Sequence, residues 1–142
     1  MNVTANNKYV VVRVTDKNNC LDDSFIYLTN DAFAVIATNP LQAQVSAKYE
    51  YVDCPFTGNI VYHVQDVAVS RTSVIVDNHT VGLAMVEIKD KTEWKPMKRS
   101  SSNVWEYGGL TVFSPLSFRV TSIDGEVITD NKICSLFQYI VT

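Results

Sequence analysis

After Cys54-Pro55 the chain holds no stretch with the helical spacing of apolar residues. Instead "NIVYHVQDVAV", "TSVIVDNH", "LAMVEIKD", "EWKPMK", "NVWEY", "LSFRVTSI", "EVITDN" and "SLFQYIVT" follow one another with turn residues between them. Strands recurring every roughly 8–12 residues bury their apolar faces by stacking as two sheets or by closing into a barrel. The pattern predicts a β-sandwich over residues 55–142. Asp124-Gly125 lies between two alternating runs and predicts a two-residue type I′ hairpin, because both turn positions need positive φ and Asp-Gly tolerates it. Pro96 lacks a backbone N–H, so its segment reads as an edge or bulged strand.

Residues 1–54 read differently. "KYVVVRVTD" (residues 8–16) is an apolar strand, followed by a polar, turn-rich loop over residues 17–24. "FIYLTNDAFAVIATNP" (residues 25–40) then carries a helix near residues 29–38. Thr29 suits the N-cap, and Asp31 places an anion in the first turn. Ala32, Phe33, Ile36 and Ala37 form one apolar stripe, with Phe33 and Ile36 expected to pack it. Asn39-Pro40 ends the helix, since the residue before proline avoids the helical region. "AQVSAKYEYVD" (residues 43–53) returns as an alternating strand. This first part has too little apolar surface to stand alone. The chain thus divides into residues 1–54 and 55–142.

Charge and composition exclude several functions. The 142 residues carry a net charge of −3, and no run of Lys or Arg exceeds the pair Lys98-Arg99. That does not suit nucleic acid, which requires a basic face. No apolar stretch reaches the ~18 residues of a membrane-spanning helix. The first eight residues are polar and supply no secretory leader, so the chain as written reads as cytosolic, or as a mature or truncated piece. The three cysteines, Cys20, Cys54 and Cys134, are too widely spaced for a zinc knuckle. Cys134 sits in an apolar run and reads as a buried thiol, whereas a bond between Cys20 and Cys54 is left open. Asn2-Val3-Thr4 and Asn78-His79-Thr80 are glycosylation triplets that matter only in a secretory compartment.

Motifs for chemistry are sparse. There is no glycine-rich phosphate loop and no G-x-S-x-G, and the pattern implies neither a cofactor nor a metal site. His63 falls on a strand face and His79 in a turn. Asp22-Asp23 are neighbours in a loop and point apart, unlike the facing carboxylates of a glycosidase. Trp94 and Trp105 could stack on sugars, but tryptophan in a sandwich reads first as core.

The order of these pieces resembles the expansins and expansin-like proteins. "VTD" and "LTNDAFAVIA" are similar to the late part of the family's first domain, where a V-x-D strand end precedes D-L-S-x-x-A-F on a helix. "YEYVDCPFTGNIVYHVQD" resembles the junction between the two domains. "DNHTVGLAMVEIKDKTEWKPMKRSSSNVWEY" and "PLSFRVTSIDGEVITDN" resemble microbial expansin-like second domains.

The resemblance implies a mainly β fold: a partial double-psi β-barrel with one helix over residues 1–54, its early strands not encoded, then an Ig-like, polysaccharide-binding sandwich over 55–142. It implies a non-hydrolytic, extracellular, cell-wall-binding protein. Asp16 aligns with one groove aspartate of the family. Tyr27 stands where the family has its essential one, and a phenol with a pKa of about 10 is no carboxylate at neutral pH. Ser70 and Arg71 fall where two adjacent platform aromatics are expected, and Ser102 where a third is. The cysteine at the Cys54 position pairs, in the family, with the early barrel. The function implied is polysaccharide binding with an altered groove and platform. The alternative is a structural or protein–protein module that has lost sugar binding. The implied partners are a polysaccharide or glycan, with no nucleic acid and no membrane, and a homo-oligomer through an exposed barrel edge.

Overall fold

The computed structural model describes residues 1–15, 24–39, 41–68, 70–109 and 115–134. The chain divides into two compact units, Met1–Cys54 and Pro55–Thr142. Among the described residues the strands form one three-stranded sheet in the first unit and two four-stranded sheets in the second.

In the first unit, β1 (Asn2–Ala5) and β2 (Lys8–Val11) form an antiparallel hairpin with Ala5 opposite Lys8. The two loop residues, Asn6 and Asn7, have φ of 52° and 60°. Asparagine accepts this left-handed geometry with little strain, and two such residues in succession make the tight turn that matches strand twist. The polar start of the chain therefore encodes a strand. β3 (Lys48–Glu50) pairs with the other edge of β1, giving the order β2-β1-β3.

Helix α1 (Asn30–Ile36) begins at Thr29, whose side chain accepts a hydrogen bond from the Ala32 amide at 3.4 Å. It ends where Ala37 turns extended. Asn6 Nδ2 donates to the Ile36 carbonyl at 2.9 Å and so ties the hairpin turn to the end of the helix. Ile36 joins Val3 and Ala5 in a small buried cluster. Phe33, expected as a packing residue, is only half-buried and stays outside that cluster. The packed stripe is narrower than its spacing suggests: of Phe33 and Ile36, only Ile36 joins the cluster with the sheet.

In the second unit one sheet has the order β4-β5-β9-β8, from β4 (Val61–Ala68), β5 (Arg71–Asp77), β8 (Lys98–Arg99) and β9 (Trp105–Tyr107). The other has the order β11-β10-β6-β7, from β6 (Leu83–Asp90), β7 (Glu93–Pro96), β10 (Leu116–Ser122) and β11 (Val127–Cys134). Hairpins alternate between the sheets. β7 is an edge strand, the place proline tolerates. The chain passes from β7 to β8 through buried Met97, which lies between the two layers. Tyr62, Val74, Val76 and Trp105 from one sheet pack with Val86, Ile88, Phe118 and Val120 from the other. The architecture is mainly β, with a two-sheet sandwich in the second unit. "SLFQYIVT" lies outside the described residues.

The β10–β11 turn departs from the two-residue expectation. The Gly125 amide donates to the Ser122 carbonyl and the Ser122 amide to the Glu126 carbonyl, so the loop is three residues, Ile123-Asp124-Gly125. Gly125 alone takes positive φ, at 91°, while Asp124 keeps ordinary geometry. This is a turn closed by a left-handed glycine. It is anchored by Ser122, whose hydroxyl accepts from the Glu126 amide at 2.9 Å and donates to the Asp124 carboxylate. That last bond lowers the Asp124 pKa from its ordinary value.

Candidate functional site: the outer face of the first sandwich sheet

Strand alternation decides which side chains face outward. On β5, Thr72, Val74 and Val76 are buried in the sandwich, so Arg71, Ser73, Ile75 and Asp77 point to the opposite face, where Ser73 is itself buried at 2% exposure and Arg71 is the exposed member. Register places His63 beside Ile75 and Asp66 beside Ser73. On the other flank Glu106 lies opposite Ser73, and Lys98 opposite Glu106. One transverse row therefore reads Asp66, Ser73, Glu106, Lys98 across four strands. Arg71 Nε is 3.4 Å from Asp66 Oδ2, and His63 Nε2 is 3.7 Å from Asp77 Oδ2. Apart from Ile75, the residues of this face are polar, and two of its pairs are ionic.

Ser70 and Arg71 are both exposed and sit together at the β4–β5 turn. Ser102 is exposed in the β8–β9 turn. Because β9 runs antiparallel to β5, with Trp105 beside Val74 and Tyr107 beside Thr72, that turn lies at the far end of the same sheet. Arg71 and Ser102 thus sit at opposite ends of the face, about 20 Å apart at ~3.3 Å per strand residue. Between them Ile75 and Asp77 are half-buried and Ser73 is buried. Tyr27 is exposed, two residues before the helix cap in the first unit. Asp16 lies outside the described residues, as does Cys20; Cys54 is a free thiol. Sequence reasoning placed His63 on a face, but missed Asp66, Ser73, Asp77, Glu106 and Lys98. Period-two alternation on β5 could have found Ser73 and Asp77, whereas Asp66 reaches this face only through the bulge between Val64 and Asp66, which breaks the alternation of β4. Glu106 and Lys98 needed the pairing of β8 and β9 with β5.

Neither tryptophan offers an open ring to this face. Trp105 is buried in the core, with the Arg99 guanidinium carbon 5.5 Å from its ring centre. Tyr107 is half-buried, and its hydroxyl donates to Asp90 Oδ2 at 2.8 Å. Trp94, expected in the core, is half-buried on the outer face of the second sheet, opposite Lys89 in register. The Arg119 guanidinium lies 5.0 Å from its ring centre and the Lys89 ammonium 5.6 Å. Arg119 is itself held in a fork by Glu87, with Nε–Oε2 at 2.5 Å and Nη2–Oε1 at 2.6 Å. Trp94 thus serves as a seat for cations. Among the described residues no three His, Cys, Asp or Glu side chains gather as metal ligands, and no helix is long and apolar enough to cross a membrane.

Residues 63–134, half of the chain, match the family described as Expansin C-terminal domain. The chain belongs to the expansin family. It is 34% identical over 80 residues to Expansin-like protein 2 of Dictyostelium discoideum, covering 54% of this chain and 20% of that relative. To Expansin-like protein 7 of the same organism it is 30% identical over 107 residues, covering 72% of this chain and 19% of the relative. The chain therefore spans about a fifth of the length of the curated relatives it matches. Among solved structures it is similar to the apo expansin of Clavibacter michiganensis, with a TM-score of 0.74 and 20% identity over 94% of this chain and 67% of that one. It is also similar to a mutant of that expansin in complex with cellohexaose, with a TM-score of 0.78 and 19% identity over 99% of this chain and 74% of the other. At such identities the likeness establishes an expansin fold. The polar face described above belongs to the sheet that contains His63, where the family match begins.

Proposed function

We propose that this expansin-like chain binds a polysaccharide without cleaving it, along the outer face of the sheet β4-β5-β9-β8. The single observation that supports the reading is the row of accessible charged groups Asp66, Glu106 and Lys98 across the sheet, with Arg71 at its end, inside the family-matched segment. A glycan chain presents hydroxyls at regular intervals, and fixed carboxylate, ammonium and guanidinium groups bond them with defined geometry. A structural neighbour was crystallised with cellohexaose, which fits a β-glucan as ligand class. Residues 1–54 are read as the late part of a double-psi barrel and residues 55–142 as the family's Ig-like binding domain. Within that reading Ser70 and Ser102 extend the binding surface of the second unit, Asp16 and Tyr27 are assigned to the first unit's own groove by the family pattern, the protein acts outside the cell at a wall, and no hydrolysis takes place. Tyr27 cannot supply the second carboxylate that glycoside hydrolysis requires.

Retention of the chain on insoluble cellulose, chitin and peptidoglycan tests the binding, with release of reducing ends measured in the same tubes. Retention on at least one polymer without new reducing ends is expected. Absence of retention on all three would remove the reading.

One observation favours the second reading, a protein-binding or structural module. Trp105 and Tyr107 are turned into the sandwich, which leaves the outer face without exposed aromatic rings of its own. In that case the same ion-paired row would meet a protein surface.

A further inference from the structure

Many large apolar side chains of the first unit are exposed. Among the described residues sixteen large hydrophobic side chains are exposed, and eleven of them lie in residues 1–54, including Tyr9, Val11, Tyr49 and Tyr51. Its buried cluster consists of Val3, Ala5 and Ile36. Exposed patches on this scale mark surfaces that something covers.

β3 is an edge of its sheet: it pairs with β1 on one side, and on the other no described strand meets it. Its sequence is Lys48-Tyr49-Glu50. We propose that β3 is a self-complementary edge, and that two copies of this chain pair through it, antiparallel about a two-fold axis at Tyr49. In this register Lys48 of each copy lies opposite Glu50 of the other, twice by symmetry, and Tyr49 lies opposite Tyr49. Directly opposed residues of an antiparallel pair share a face, so both ion pairs form on one face. Tyr51, whose ring already meets Tyr49 edge-on at 5.9 Å, extends the contact on the other. Asn2 Nδ2 donates to Glu50 Oε1 at 3.0 Å, which holds the carboxylate in place and leaves Oε2 for the lysine.

Charge selects both the edge and the register. Moving the axis to Glu50 would set two carboxylates face to face. The remaining edge of the sheet, β2, self-pairs Lys8 with Val11 and Tyr9 with Val10, with no countercharge for the lysine. A lysine on an edge normally discourages strand addition; on β3 a second copy supplies its neutralising partner. The symmetric contact is the isologous kind that closes a dimer and does not propagate. The inference goes beyond polysaccharide binding, which uses the other unit, and stands or falls separately from it.

Sedimentation of the whole chain over a concentration series tests it. The unmodified chain is expected to move from monomer to dimer. Lys48→Glu, which leaves the Asn2–Glu50 bond intact, and Glu50→Lys each turn two attractive pairs into repulsive ones and should weaken the dimer on the order of tenfold or more. The double variant Lys48→Glu/Glu50→Lys restores opposite charges and should dimerise as the unmodified chain does. Tyr9→Glu, on the β2 edge, should leave the dimer intact. A chain that is monomeric throughout overturns the proposal. So does a double variant as weak as the single ones, or a dimer broken by Tyr9→Glu.

Discussion

Tyr62 of β4 lies flat against Phe118 of β10, with ring centres 5.0 Å apart and planes 11° from parallel. This contact joins the two sheets of the sandwich, and the Tyr62 hydroxyl continues past it to donate to Asp130 Oδ2 at 2.6 Å. Phe118 is fully buried, so Phe118→Ala removes the ring and leaves a cavity. A loss of roughly 3–5 kcal/mol is expected in chemical denaturation. Tyr62→Phe keeps the stack and removes only a hydrogen bond to a carboxylate, for about 1.5–3 kcal/mol. The two losses in that order are the expected outcome; equal losses would mean that the ring contact does not join the sheets.

The Glu87–Arg119 pair makes a different demand. Glu87 is buried and Arg119 supplies both of its hydrogen bonds. Removing the cation alone leaves a buried carboxylate without its partner, whereas replacing both removes the charge as well. Arg119→Leu should therefore lower the thermal midpoint more than the double variant Glu87→Leu/Arg119→Leu. A double variant that melts below the single one would show that the pair is not coupled in this way.

Tyr107 carries a pH prediction. Its hydrogen bond to Asp90, assisted by burial, raises the phenol pKa above the ordinary value. The folded state thus favours the protonated phenol. The stabilisation is complete below the unfolded pKa of about 10 and is lost as pH rises through the higher folded value. In an absorbance titration of tyrosinate, Asp90→Asn should move one tyrosine's worth of the late-ionising signal to lower pH. An unchanged titration in Asp90→Asn would contradict the assignment.

The first unit makes a comparison of two neighbours on one helix. Ile36 is fully buried against Val3 and Ala5, while Phe33 is half-buried outside that cluster. Ile36→Ala should cost about 2–5 kcal/mol, and Phe33→Ala less, despite the larger side chain. Protease susceptibility or amide exchange of the β1–β2 hairpin reads this locally. A larger effect at Phe33 would reverse the packing described for α1.

Much of this fold is legible in the residues. Thr29 as the helix cap, Pro96 on an edge strand, Trp105 in the core and the strand order of events after Cys54 follow from local chemistry alone. What escaped depends on partners distant in the chain. The strand at Asn2–Ala5 looks polar, yet it is central in its sheet; the paired asparagines at positions 6 and 7 were the available sign. Phe33 and Trp94 are apolar enough for a core, but what covers a side chain is decided by neighbouring elements, here a short helix contact and the cations Arg119 and Lys89. The polar row at the candidate site was hidden for the same reason. Asp66, Ser73, Glu106 and Lys98 become one row only through the register of four strands.

The central claim is that the outer face of β4-β5-β9-β8 takes a polysaccharide through polar groups. A depletion isotherm on insoluble cellulose, comparing the unmodified chain with Arg71→Ala and Arg71→Trp, tests it most directly. Saturable binding that Arg71→Ala weakens and Arg71→Trp strengthens, by giving the sugar a ring to stack on, is the result the account predicts. Saturable binding that neither substitution changes would place the ligand elsewhere and contradict it.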